Sequence, residues 1–137
     1  MRISSKGKYA ISLMVELALH SQSENISLKV ISMRHNLSLK YLEQVATQLC
    51  KSRLITSMRG SQGGYFLTKN ADEYTIGDIL RVTEGELFEI DCGDTFYYNQ
   101  IKILIDDIGK AFTAYVDNLK LSDVQKAIAS YGYDYQI

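Results

Sequence analysis

Proline is absent from this chain of 137 residues, and cysteine occurs only twice. A chain without proline suits helices, since no ring removes a backbone N–H or clashes with the preceding turn. The start carries charges but also polar breaks, so no export signal is read there. Two cysteines in such a chain imply reduced thiols and a cytoplasmic setting. No apolar run approaches the length of a membrane span. A nucleophile–base set, a metal-ligand spacing and a phosphate loop are all missing. Enzymatic catalysis therefore has no machinery to rest on, and no metal or cofactor is expected.

What the chain does hold is an uneven distribution of charge. Residues 1–69 carry ten Lys and Arg against three Asp and Glu, a balance of +7. Residues 70–137 carry five against thirteen, a balance of −8, so the net charge of −1 hides two opposed halves. A basic half beside an acidic half suits a DNA-facing end and a solvent-facing or dimerising end. The length is one domain's worth, and a hydrophobic content of 46% is ordinary for a globular protein.

Residues 27–67 organise the rest. Ser27 and Ser38 stand where helix N-caps are wanted, each followed by a short helical pattern. In the second helix, over 38–52, Leu42, Val45, Ala46 and Leu49 make a core stripe. The opposite face carries Lys40, Glu43, Gln44, Thr47 and Lys51, side chains able to reach base edges and phosphates. Lys40 suits guanine, Gln44 adenine and Glu43 the amino group of cytosine. The plain alternative is a solvated polar face. Residues 54–58 and 65–68 then read as paired strands around Arg59-Gly60-Ser61-Gln62-Gly63-Gly64. Glycines at 60, 63 and 64 permit positive φ and a close approach of backbone to a duplex. Arg59 can enter a narrow minor groove, and Gln62 can meet a base edge or a phosphate. The predicted unit is a helix-turn-helix followed by a wing.

The flanking segments fill out a mainly helical fold with one small β-hairpin. Residues 1–8 read as a polar arm whose Arg2, Lys6 and Lys8 either hold phosphates or form a solvated end. An amphipathic helix is expected over 9–20, with His20 at its C-terminus. In the first helix of the DNA-binding pair, over 27–36, Leu28, Val30 and Ile31 are expected to face inward; His35 reads as a surface residue without a function, with a phosphate contact as the alternative. Cys50 reads as a small buried hydrophobe. Residues 70–74 look like an acidic connector. Thr75 caps a helix to about residue 84, with Ile76, Ile79, Leu80 and Val82 inward, and Gly85 stops it. A long helix over 96–119 has an apolar stripe wider than a coiled-coil seam. Ile101, Leu104, Ile105, Ile108, Phe112 and Tyr115 are its candidate dimerisation residues. A short helix over 122–129 precedes a tyrosine-rich tail.

Three motifs, in order, carry a family resemblance: Met1-Arg2-Ile3-Ser4-Ser5-Lys6-Gly7-Lys8-Tyr9-Ala10, Tyr41-Leu42-Glu43-Gln44, and the wing Arg59-Gly60 with Gly63-Gly64-Tyr65. The chain resembles the Rrf-two (Rrf2) family of bacterial regulators, whose types include IscR, NsrR and CymR. The similarity runs from residue 1 through Gly85 and more loosely beyond. It implies a dimeric winged-helix transcription factor. It also implies a division into a DNA-binding domain (1–85), a sensing loop (86–95) and a dimerisation helix with its tail (96–137). Cluster-binding relatives place three cysteines in and just beyond the sensing segment. Here only Cys92 is present, with Tyr98 and Leu104 near the other two places and Lys8 where some relatives add an acidic ligand. One thiolate is too few for an iron–sulfur site, so the features lie nearest the cluster-free, CymR-like members. Lys40 stands where the IscR type holds a small hydroxyl residue, which implies a different operator.

Those members end in an aromatic-rich peptide with isoleucine last, and their partner is cysteine synthase. The tail residues Asp134-Tyr135-Gln136-Ile137 look similar. A terminal carboxylate beside a branched side chain suits an amino-acid pocket; packing of the tyrosines onto a dimer is the competing reading. The expected function is a dimeric sequence-specific DNA-binding repressor, with sulfur or cysteine metabolism as its field and a partner protein as its control. A regulator answering a small molecule or thiol oxidation at Cys92 is the first alternative. A protein-interaction module that does not bind DNA is the second.

Overall fold

A computed structural model describes residues 2–20, 26–59, 63–88 and 99–131. Gly60, Gln62, Cys92 and the tail residues Asp134, Tyr135, Gln136 and Ile137 lie outside the described residues. Helix α1 (Ser5–Leu19) is the central element, contacting α3, α4, α6 and the second strand of the wing. It begins four residues before the expected start, so residues 5–8 are helix, not a solvated arm. The cause is Ser4: its hydroxyl accepts from the Gly7 N–H at 3.1 Å and satisfies an orphan donor of the first turn. Ala10, Leu13, Met14 and Leu17 line the buried face.

Two short helices follow. Helix α2 (Leu28–His35) is capped by Ser27 and closed by Asn36 in the left-handed region (φ 52°), a conformation asparagine tolerates better than most residues. Ser32 bridges the turn, accepting from the Leu37 N–H at 3.0 Å and donating its hydroxyl to the Leu37 carbonyl at 2.6 Å. Val30 is exposed, not buried as its apolar character predicted. On a helix, residues two apart point about 200° away from each other, so burial of Leu28 turns Val30 outward. Helix α3 (Leu39–Lys51) is capped by Ser38, and Leu42, Val45, Ala46 and Leu49 are fully buried.

The wing pairs β1 (Ile55–Met58) with β2 (Gly64–Leu67), antiparallel, in the register Ile55 to Leu67 and Met58 to Gly64. Ile55 and Leu67 point into the core. Ile26 adds a single bridge to Tyr65 on the other edge. The stretch expected as a plain connector contains a 3-10 turn, Ala71–Glu73, and ends in a fully buried Tyr74. Its phenol donates to the Leu54 carbonyl at 2.7 Å and accepts from the Thr68 and Lys69 N–H groups, fastening the base of the wing.

Helix α4 (Ile76–Glu84) starts in a reciprocal cap between Thr75 and Asp78 and ends at Gly85, whose φ is +73°. Its Val82 is only half-buried. Helices α5 (Asn99–Asn118) and α6 (Leu121–Ser130) complete the described chain. Leu121 is fully buried, and Gln125 donates to the Ala18 carbonyl at 3.0 Å, so α6 packs back onto α1. None of the described helices is long and apolar enough to cross a membrane. The architecture is a winged helix-turn-helix with a long additional helix, as the sequence predicts.

Candidate nucleic-acid interface

Helix α3 separates its side chains by face. Lys40, Glu43, Gln44, Thr47 and Lys51 are all exposed, opposite the four buried apolar residues. The Thr47 hydroxyl donates to the Glu43 carbonyl at 2.8 Å, which turns it back onto its own helix. Tyr41 is half-buried, and its ring meets Tyr9 edge-on with centroids 4.8 Å apart. Ser38 caps the helix, accepting from the Tyr41 N–H at 3.3 Å. Arg59 is exposed at the end of β1, and Gly63 opens the return strand. Arg2 and Lys8 are exposed at the start of α1, with Lys6 half-buried.

The brace behind α3 was not visible in the sequence. Glu16 sits among the apolar residues of α1 and is 1% exposed. Its carboxylate contacts Arg34 Nη1 at 3.1 Å and His35 Nε2 at 2.6 Å, both on α2. His20 Nδ1 lies 2.7 Å from the Glu16 backbone carbonyl and closes the end of α1. His35 is exposed, as its reading as a surface residue expects, yet its ring is also a partner of the buried Glu16 carboxylate. A carboxylate can sit at such depth because the Arg34 guanidinium and hydrogen bonds replace its water.

Cys50 packs against the core but is only half-buried, short of the full burial expected of a small hydrophobe. Burial pushes its thiol above the ordinary range. Burial likewise raises the Tyr65 phenol, helped by the nearby Cys50 and Glu43.

Helix α5 divides its apolar residues between two directions. Val116 is buried, Phe112 is half-buried against the chain's own core, as is Leu119 just past the helix end, and Ile105 is half-buried. Ile101, Leu104, Ile108 and Tyr115 are exposed, by 44%, 60%, 50% and 68%. On the side facing α4, Arg81 and Asp117 form a two-pronged pair at 2.6 and 2.8 Å. An open cleft of about 680 Å³ lies between Phe88 and α5, with Lys102, Asp106, Lys110 and Thr113 on its wall.

The comparisons with known proteins agree with this geometry. Residues 3–127 match the Rrf2 family, described as "Iron-dependent Transcriptional regulator". The chain is similar to the transcriptional regulator IscR of Pectobacterium atrosepticum, 42% identical over 92 residues, covering 67% of this chain and 56% of that protein. It therefore spans little more than half the length of that relative. It is also similar to CymR of Bacillus subtilis, 43% identical over 91 residues and 66% of each chain. Among solved structures, that of B. subtilis CymR, "the Global Cysteine Regulator", superposes with a TM-score of 0.85 at 35% identity, covering 93% of this chain and 98% of the other. The IscR of T. potens gives 0.81 at 34% identity over 98% and 93%.

The family description raises iron, and the donors here do not fit a cluster held by three cysteines. The chain has two, and Cys50 packs against the core on α3. Leu104, where one such cysteine would fall, is an exposed apolar residue of α5. No group of three His, Cys, Asp or Glu that could hold a metal ion occurs among the described residues. The match over residues 3–127, together with the fold shared with CymR and IscR, makes this chain a member of the Rrf2 family of transcriptional regulators.

Proposed function

We propose that the chain is a dimeric, sequence-specific DNA-binding regulator that acts as a repressor. The observation that carries this reading is α3, whose exposed face presents Lys40, Glu43, Gln44 and Lys51 while its other face is locked into the core. Phosphate contacts come from the basic half, with Arg2, Lys6 and Lys8 beside Ser38 and Tyr41 at the start of α3. Base readout comes from α3 and from the wing at Arg59, Gly60, Gln62 and Gly63. A single module neutralises few phosphates, so a tight operator calls for two. The exposed stripe Ile101, Leu104, Ile108 and Tyr115 supplies a surface for the second copy, with Ile105 and Phe112 at its margin. In this reading residues 1–85 bind DNA, 86–95 sense, and 96–137 dimerise and carry the tail. Selection of duplexes from a random pool tests it: recovery of a palindromic consensus supports the reading, and recovery of no consensus rejects it.

Similarity to B. subtilis CymR supports sulfur or cysteine metabolism as the regulated field. The tail from Asp134 to Ile137 is the proposed contact with a cysteine synthase. Titration with that enzyme tests it; absent binding, or binding unchanged after removal of Gln136 and Ile137, rejects the partner. The cleft between Phe88 and α5 favours a second reading, in which a small charged effector binds there. Operator affinity that ignores a Lys110→Glu change under every candidate effector would remove that reading.

A further inference from the structure

Tyr9 and Glu84 belong to no expected contact with DNA, yet Tyr9 touches the entry of α3 and Glu84 the start of α1, the helix that carries Tyr9. Glu84 is the last residue of α4, just ahead of Gly85. Its Oε1 accepts from the Ser4 N–H at 2.8 Å and from the Ser4 hydroxyl at 2.6 Å. The carboxylate therefore sits over the N-terminus of α1, where the helix dipole favours negative charge. Gly7 leaves the room: a methyl group there would lie 2.5 Å from Glu84 Oε1 and 2.9 Å from Ile3 Cγ2. One turn further along α1, the Tyr9 hydroxyl accepts from the Ser38 N–H at 3.2 Å. The Tyr9 ring stands edge-on to Tyr41 at 4.8 Å. Ser38 is the N-cap of α3 and Tyr41 lies in its first turn.

We infer that Glu84 and Tyr9 are positioning residues that together fix the height and direction at which α3 enters a duplex. Glu84 locks the first turn of α1, the rigid turn carries Tyr9, and Tyr9 holds both the cap and the first turn of α3. Base-edge contacts are sensitive to such placement, because hydrogen bonds weaken steeply away from their preferred distance and angle. Phosphate attraction tolerates it better, because charge acts over a longer range. The brace therefore acts on discrimination between sequences more than on general affinity. The consequence for DNA rests on the regulator reading above; the mechanical link does not.

Four variants test the inference: Tyr9→Phe, Glu84→Ala, Glu84→Gln and Gly7→Ala. The Ser38 amide resonance in nitrogen-edited NMR reads the link without DNA. The affinity ratio between a selected operator and a scrambled duplex, with the salt dependence of each, reads the consequence. Tyr9→Phe, Glu84→Ala and Gly7→Ala are expected to shift the Ser38 amide and lower the ratio roughly three- to tenfold, the weight of about one hydrogen bond. The salt slope is expected to stay unchanged, since no phosphate contact is lost. Glu84→Gln keeps an oxygen that can accept from Ser4, and is expected to behave as the parent does. A Ser38 amide unmoved in Glu84→Ala, a parental ratio in Tyr9→Phe, or a Glu84→Gln as impaired as Glu84→Ala would overturn the proposal. Failure of the parent protein to select any duplex would sink the regulator reading, while the Ser38 amide would still decide the link.

Discussion

His35 Nε2 lies 2.6 Å from Glu16 Oε1, and this contact fastens the first helix of the DNA-facing pair to α1. Arg34 joins the same carboxylate at 3.1 Å. Glu16 is buried, whereas the two partner side chains keep 22% and 32% of their exposure. Replacing Glu16 by alanine removes the anion, leaves Arg34 and His35 unpaired and opens a void. The expected loss is about 2–4 kcal/mol of unfolding free energy, near the low end for broken buried pairs because the partner side chains still reach water. Urea unfolding of Glu16→Ala measures it, and a loss below about 1 kcal/mol, the scale of an exposed pair, would show that the contact is incidental.

Arg81 and Asp117 tie α4 to α5 at a much more exposed place. The Arg81 hydrogen bond holds the Asp117 carboxyl below its ordinary range. A depressed carboxylate stabilises the fold above its ordinary value and loses that contribution as pH falls through its folded value. Asp117→Asn is therefore expected to be less stable than the parent near neutral pH, with the gap closing in acid below about pH 4. Salt should narrow the gap, since the pair is open to solvent. Thermal unfolding at several pH values checks the sign.

Cys50 gives a chemical probe of α3. Burial raises its thiol, so the reactive thiolate forms only at higher pH than in a free cysteine. In a Cys92→Ser background, alkylation of the native protein is expected to be slower than in the unfolded chain, with its rise displaced to higher pH. The same shift means that the fold favours the protonated thiol, and that this contribution fades as pH climbs through the raised value. Equal rates in the native and unfolded protein would place the thiol in open solvent, contrary to its half-buried position.

Two exposed residues on one face of α3 are expected to differ in kind. Lys51→Ala should weaken binding to every sequence alike and reduce the salt slope by about 1. Glu43→Ala should relax preference at one operator position by about 1–3 kcal/mol while leaving the slope nearly intact. Competition binding with single-base operator variants at several salt concentrations separates the two effects.

Much of this arrangement was legible in the residues because it follows local rules. The split of α3 into apolar and polar faces is a matter of helical period, and Ser27, Ser38, Thr75 and Gly85 marked ends by their own chemistry. Contacts distant in sequence left no such mark. Glu16 reaches partners 18 and 19 residues away, Ser4 meets Glu84 across 80, and Tyr74 closes a strand end 20 residues earlier. The helical start at Ser5 was hidden for the same reason: the cap reads as a polar arm until Glu84 arrives. Val30 went wrong through reliance on apolar character over helical angle.

The account depends on two copies presenting α3 to one duplex through the exposed stripe of α5. Sedimentation of the protein with a selected palindromic duplex tests that most directly, in the parent and in Ile108→Glu. The parent is expected to sediment as two chains per duplex, and Ile108→Glu as free monomer with operator affinity at least about a hundredfold weaker, roughly 2.7 kcal/mol. A parent that binds the operator tightly as a single chain, or an Ile108→Glu that still pairs and binds at full strength, would contradict it.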